Sequence, residues 1–151
     1  MEKAPVLICY DGSEDSDRAI DTASALLGPH PAVVLDIGPV LTAAESLATV
    51  SSVVPGNAFE ELNTADALKR ARAGAARAVR AGFEAQARAE LASPTWSGIV
   101  DVADEIDAEV IVIGSRGLKG IREALEGSVS HAVAERAGRP VLIVPPPRTR
   151  R

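Results

Sequence analysis

Five short runs rich in β-branched or apolar residues, separated by longer amphipathic stretches, constrain this chain more than any other feature. VLICY (6–10), AVVLDI (32–37), FEAQARAEL (83–91), EVIVI (109–113) and PVLIV (140–144) are the strand candidates. Three of the five are almost continuously apolar, as strands covered on both faces are. Alternation of such runs with helical segments predicts a parallel sheet with crossover helices. FEAQARAEL fits least well, because its alanines and charges also suit an extension of the helix before it.

Helical spacing fills the intervals. Ala19, Ile20, Ala23, Leu26 and Leu27 recur on one face after the first strand, with Ser13 as N-cap and Glu14 and Asp15 at the positive end of the dipole. Gly28-Pro29 closes that helix. Leu68, Arg72, Ala76, Val79 and Phe83 align on a long Ala/Arg-rich helix beginning near Ala58, whose arginines read as a solvated face with stems lying over apolar surface. Ile99, Val102, Ala103 and Ile106 mark a third helix, and a fourth runs from Ser128 to Ala137 with Gly138 beyond its end. Residues 38–57 form one connection far longer than the usual 4 to 6 residues, read here as a functional flap, with a plain insertion or a disordered stretch as the alternatives. No repeat or second domain is evident, so residues 1–147 are read as one domain and 148–151 as a basic tail.

A chain of 151 residues can bury well over half of its unfolded surface, so one core suffices. Cys9 is the single cysteine, has no intramolecular partner and lies in an apolar run, where it reads as a core residue. No segment approaches the roughly 18 uninterrupted apolar residues of a membrane span, and the N-terminal apolar run is short for a signal peptide. A cytoplasmic location with no membrane partner is the expectation. The net charge of −5 disfavours nonspecific attraction to nucleic acid, and aromatic residues at 3% provide no stacking platform for single strands.

The segment GSRGLKGIREALEGSVS (114–130) leaves the fourth strand through several glycines and opens a helix on Gly127-Ser128. Glycine lets another group approach the main chain without a Cβ in the way, so the amides at Gly114 and Gly117 can converge on an anion. The first N–H groups of the following helix are unpaired and carry partial positive charge, and Ser128 and Ser130 add hydroxyl donors. Arg116 either adds a full charge or lies in solvent. Asp11-Gly12-Ser13 follows the first strand at the same sheet edge, where open parallel sheets bind ligands. Taken singly, each of these glycines also reads as an ordinary strand end, loop or cap. Neither G-x-G-x-x-G after the first strand nor G-x4-G-K-[ST] is present.

The spacing Gly114, Gly117, Gly127-Ser128 resembles the G-x2-G-x9-G-[ST] signature of the ATP-binding universal stress proteins. VLICYDGSEDSDRAI, AEVIVIGSRG and GSVSHAVAERAGRPVLIV resemble that family's first strand and helix and its C-terminal half. The resemblance implies a single-domain three-layer α/β sandwich of the adenine nucleotide alpha hydrolase-like kind, with a five-stranded parallel sheet in the order 3-2-1-4-5. It implies ATP as ligand, with Mg or Mn bound through the phosphates. Asp11 would lie near the ribose and adenine, with Gly12 and Ser13 beside it as further nucleotide-binding candidates, and the Ile37 backbone would meet the adenine. Gly114, Arg116, Gly117, Gly127, Ser128, Val129 and Ser130 would line the phosphate path. Asp36 stands where the family usually has the histidine of a His-Val pair, and SPTWSG (93–98) replaces its usual Gly-x-Pro turn.

No catalytic residue and no protein-bound metal is assigned. His30 sits in the turn GPHPA, and His131 follows Ser128 by three residues without an identifiable orienting acid. The expected function is therefore a nucleotide-dependent regulator in the stress response. The alternatives are a weak ATP-hydrolysing or autophosphorylating enzyme and a nucleotide-free dimeric scaffold. In the implied strand order 140–144 is an edge, and the family resemblance predicts a homodimer through it, which would close that edge.

Overall fold

The structure, a computed structural model, describes residues 2–40, 56–115 and 128–148. Its strands are β1 (Val6–Cys9), β2 (Pro31–Gly38), β3 (Glu84–Leu91), β4 (Val110–Gly114) and β5 (Val141–Val144). They form one sheet in the order β3-β2-β1-β4-β5, as expected. All neighbouring pairs are parallel, with Ile8 opposite Val34 on one side and Val112 on the other. The described helices are α1 (Glu14–Leu27), α2 (Gly56–Ala81), α3 (Thr95–Glu105) and α4 (Val129–Arg136). Most of the long connection, residues 41–55, lies outside the described residues.

The apolar strands split their side chains between two cores because successive residues point to opposite faces. Val6, Ile8, Val34 and Val112 meet Ala19, Ile20 and Ala23 of α1 and Ala75 and Ala78 of α2. Leu7, Leu35, Ile111 and Ile113 meet Ile99, Val102 and Ala103 of α3 and Val133 of α4. Arg136 lies over the Trp96 ring, 4.7 Å from its centroid, and ties α4 to α3 on this second face.

The segment that suited either helix or strand is β3. The break is at Gly82, whose φ of +110° no other residue adopts at low cost. Its N–H donates to Val79 O and the Phe83 N–H to Ala78 O, a Schellman pair that stops α2 and turns the chain into the sheet.

The inner face of α2 differs from the expected one. Ala67, Ala71, Ala75 and Ala78 are buried, whereas Val79 is exposed and Arg72 and Ala76 face solvent. The stripe of small residues faces inward because α2 lies very close to the sheet. A Cβ added at Gly74 would come within 2.6 Å of the Tyr10 ring and 2.9 Å of Val34 Cγ1. At that separation bulk belongs on the flanks.

The two sheet edges also differ. On β3, Arg88 bridges Glu90 and Glu105 of α3, each at 2.7 Å. On β5, Val141 and Leu142 are half-buried and Ile143 is exposed.

Candidate functional site

Parallel strands deliver all their carboxyl ends to one edge, and a crevice opens where neighbouring strands send their connections in opposite directions. Here those neighbours are β1, which leads toward β2, and β4, which leads toward β5.

The chain leaving β1 makes a tight turn. The Ser13 N–H donates to Asp11 Oδ1 at 2.9 Å, and Gly12 has φ +82°. The Ser13 hydroxyl caps α1 by accepting from the Ser16 N–H at 3.2 Å, and Ser16 Oγ donates to Ser13 O at 2.8 Å. Ser13 lines the crevice, but its hydroxyl serves the helix end. Asp11 retains a second carboxylate oxygen.

Gly114 ends β4 beside this turn. A Cβ there would stand 3.3 Å from Asp15 O, so the missing side chain lets the end of β4 approach the first turn of α1. The Ser115 N–H donates to Val144 O. Across the gap, Ser128 caps α4, its Oγ accepting from the His131 N–H at 3.2 Å and lying 3.2 Å from Ser130 Oγ. Both serines are buried. Two hydroxyls hold two protons and their mutual bond uses one, so among the described contacts one donor remains for a ligand. Val129 lines the cavity beside them. Arg116, Gly117 and Gly127 lie outside the described residues.

Two lobes meet above the strand ends. The first, about 40 Å³, is mainly apolar, with Leu35, Ile37, Ile99, Ile113 and Val129 among its walls and Gly114 at its rim. The second is an open cleft of about 600 Å³ on the α2 side, bordered by Asp36, Asn63, Asp66 and Arg70. Asp11, Ser13, Ile37 and Thr95 line both.

Asp36 is only 1% exposed although it is a carboxylate. It accepts two hydrogen bonds from Arg70, Nε to Oδ2 at 2.7 Å and Nη2 to Oδ1 at 3.2 Å. Burial pushes the Asp36 carboxyl up from its ordinary range, and Arg70 draws it back. The Asp36 carboxylate in turn pushes the Arg70 guanidinium further up. Sequence reasoning noted Asp36 only as a substitution and took Arg70 as one of a series of solvated arginines. The available signal was a carboxylate in an otherwise apolar strand, which requires a cation nearby. Thr95, Asn63 and Asp66 carried no comparable signal.

Cys9 lies on the floor of the apolar lobe, where burial first and Asp11 second push its thiol up to about 12. Its expected core role is consistent with that placement. His131 is exposed and 3.3 Å from Glu135. His30 contacts Ala4 O and Glu109 Oε2 near the amino ends of the strands, remote from the cleft. Among the described residues no group of three or more His, Cys, Asp or Glu is placed to hold a metal ion, and no helix is long and apolar enough to cross a membrane.

Comparison with known proteins agrees with this architecture. Residues 4–145 match the model of the universal stress protein family. The universal stress protein YxiE of Bacillus subtilis (strain 168) is 31% identical over 144 residues, covering 92% of this chain and 97% of the relative. The solved structure of the hypothetical protein MJ0577 superposes with a TM-score of 0.76 at 21% identity, over 99% of this chain and 100% of that one. A universal stress protein solved in complex with cAMP superposes with a TM-score of 0.64 at 26% identity, over 94% and 98%.

Proposed function

The chain belongs to the universal stress protein family, and from that premise we propose that it binds ATP in the two-lobed cleft and acts as a nucleotide-dependent regulator. The observation that carries this reading is the junction of an apolar lobe with a polar one at Asp11 and Ile37, beside the glycine end of β4 and the capped start of α4. A flat base suits the apolar lobe, which has walls on both sheet faces and a strand end for its polar edge. In this reading the Asp11 carboxylate accepts from the ribose hydroxyls and the Ile37 backbone meets the adenine. The phosphates run toward Gly114, Arg116, Gly117, Gly127, Ser128, Val129 and Ser130, where main-chain N–H groups and the start of α4 favour negative charge. Mg or Mn accompanies the phosphates. The solved relative that holds cAMP supports an adenine nucleotide as the ligand class.

The same geometry supports a regulatory role. Asn63 donates to Pro39 O, which joins the early turns of α2 to the start of the long connection beside the cleft. A ligand seated there would bias the surface that a partner meets. A second copy of the chain is the partner proposed for the exposed edge of β5, with cytoplasmic residence as the setting.

Mass spectrometry of the purified protein, native and then denatured, tests the reading by showing whether an adenine nucleotide is retained. Titration calorimetry with ATP and Mg²⁺ then gives the affinity. A chain that neither carries a nucleotide nor binds ATP in the titration would sink the proposal.

A further inference from the structure

Arg70 is the only cation among the described residues that line the open lobe, and it stands among three carboxylates, Asp11, Asp36 and Asp66. Its position is unusually determined for a long side chain. One end is rooted in α2, whose stripe of small residues fixes the helix close to the sheet. The other end is held by two hydrogen bonds to a carboxylate that cannot move, because Asp36 is buried in β2. Between these anchors the stem crosses the Asp11–Gly12–Ser13 turn. A Cβ built on Gly12 would lie 3.6 Å from Arg70 Cδ and 3.9 Å from Cγ, ordinary packing distance.

We propose that Arg70 is a positioning residue for the sugar: gripped by Asp36 and lying over Gly12, it holds the Asp11 carboxylate where it accepts from the ribose 2′-hydroxyl. This inference rests on the ATP reading of the cleft. The electrostatics run the same way as the packing. Asp11 follows β1 and Asp36 lies near the end of the adjacent β2, so their carboxylates repel one another, and Arg70 offsets that repulsion from above. Removal of the guanidinium would leave two neighbouring carboxylates without their shared cation and a left-handed turn without its cover. The Ser13 N–H would still hold Asp11 Oδ1, but the turn that carries both would be free to shift and the free Oδ2 would lose its nearby cation. Lysine cannot restore the arrangement in full, since a single ammonium cannot span both carboxylate oxygens.

The measurement is the ratio of dissociation constants for ATP and 2′-deoxyATP, by titration calorimetry on the full chain. The unaltered protein is expected to prefer ATP by about tenfold, the worth of one hydrogen bond to a charged acceptor. In Arg70→Met the ratio falls toward one, and in Arg70→Lys it lies between. The double variant Asp36→Leu/Arg70→Met removes both charges, so it avoids a buried unpaired carboxylate and serves where Arg70→Met fails to fold. With Asp36 gone its repulsion of Asp11 is gone too, so the ratio should fall through loss of the stem over Gly12 alone, to between the parent and Arg70→Met. A purely structural role would weaken both nucleotides in parallel and leave the ratio intact, which would overturn the proposal. Equal binding of the two nucleotides by the unaltered protein would also overturn it while leaving the ATP reading standing; absence of ATP binding altogether would remove both.

Discussion

The two sides of the cleft are made of different materials. On the β2–α2 side, charged side chains do the holding: Asp36 beneath, Arg70 across and Asp66 beside them. On the β4–α4 side the described polar rim is small, Gly114 against α1 and two serines at a helix start, above the apolar walls of Ile113 and Val129. The first side depends on groups being present, and the second on groups being absent. Conservative replacements should therefore disturb the first, while the second should yield only to added volume or to loss of a hydroxyl.

The largest expected effect lies on the glycine side. Gly117→Val should abolish ATP retention, read by mass spectrometry, while the thermal transition stays close to that of the unaltered chain. Retention at unchanged affinity would remove Gly117 from the phosphate path. Next comes α2, the support of the charged side. Gly74→Ala would drive a methyl into the Tyr10 ring, and overpacking of this kind costs about 2 kcal/mol of stability, measurable by urea denaturation. Denaturation at the same midpoint as the parent would mean that α2 can lift from the sheet freely, and that the Arg70 anchor is weaker than its geometry implies.

A smaller change is expected at Ser128. Ser128→Ala deletes a helix cap and a possible phosphate donor, so it should lower stability by about 1 kcal/mol and weaken ATP binding by about 1 kcal/mol. Loss of stability without loss of affinity would restrict the residue to capping. The least perturbing probe is Cys9, at the floor between the two sides. With its thiol pushed up to about 12 by burial, alkylation by iodoacetamide at pH 8 should be slow in the native protein and fast in denaturant. Labelling of the native chain at the denatured rate would show that the floor is open to solvent.

How legible each side was in the sequence follows from the same contrast. The glycines and serines of the β4–α4 side cluster within one segment, where their spacing is visible. The apolar strand runs were equally open to reading, since a buried parallel strand is apolar on both faces wherever it lies, whereas their order came only with the family resemblance. The Asp36–Arg70 pair joins residues 34 positions apart, and nothing local in Arg70 separates it from Arg72, Arg77 or Arg80 on the same helix. Side-chain size misled on α2 for a related reason. Leu68 and Val79 look like core residues, but how near a helix sits to a sheet is a tertiary quantity, and at close approach Gly74 and the alanines take the inner face. Gly82 is the opposite case, a local signal strong enough to end a helix and begin β3.

The unequal edges of the sheet bear on how many copies can join. Arg88, Glu90 and Glu105 guard one border with charge that a docking strand would have to strip of water, whereas Val141, Leu142 and Ile143 leave the other comparatively welcoming. Among the described residues β5 is the one receptive border, so the two-fold pairing proposed through it would occupy it on both members at once and leave no such border for growth into a fibre.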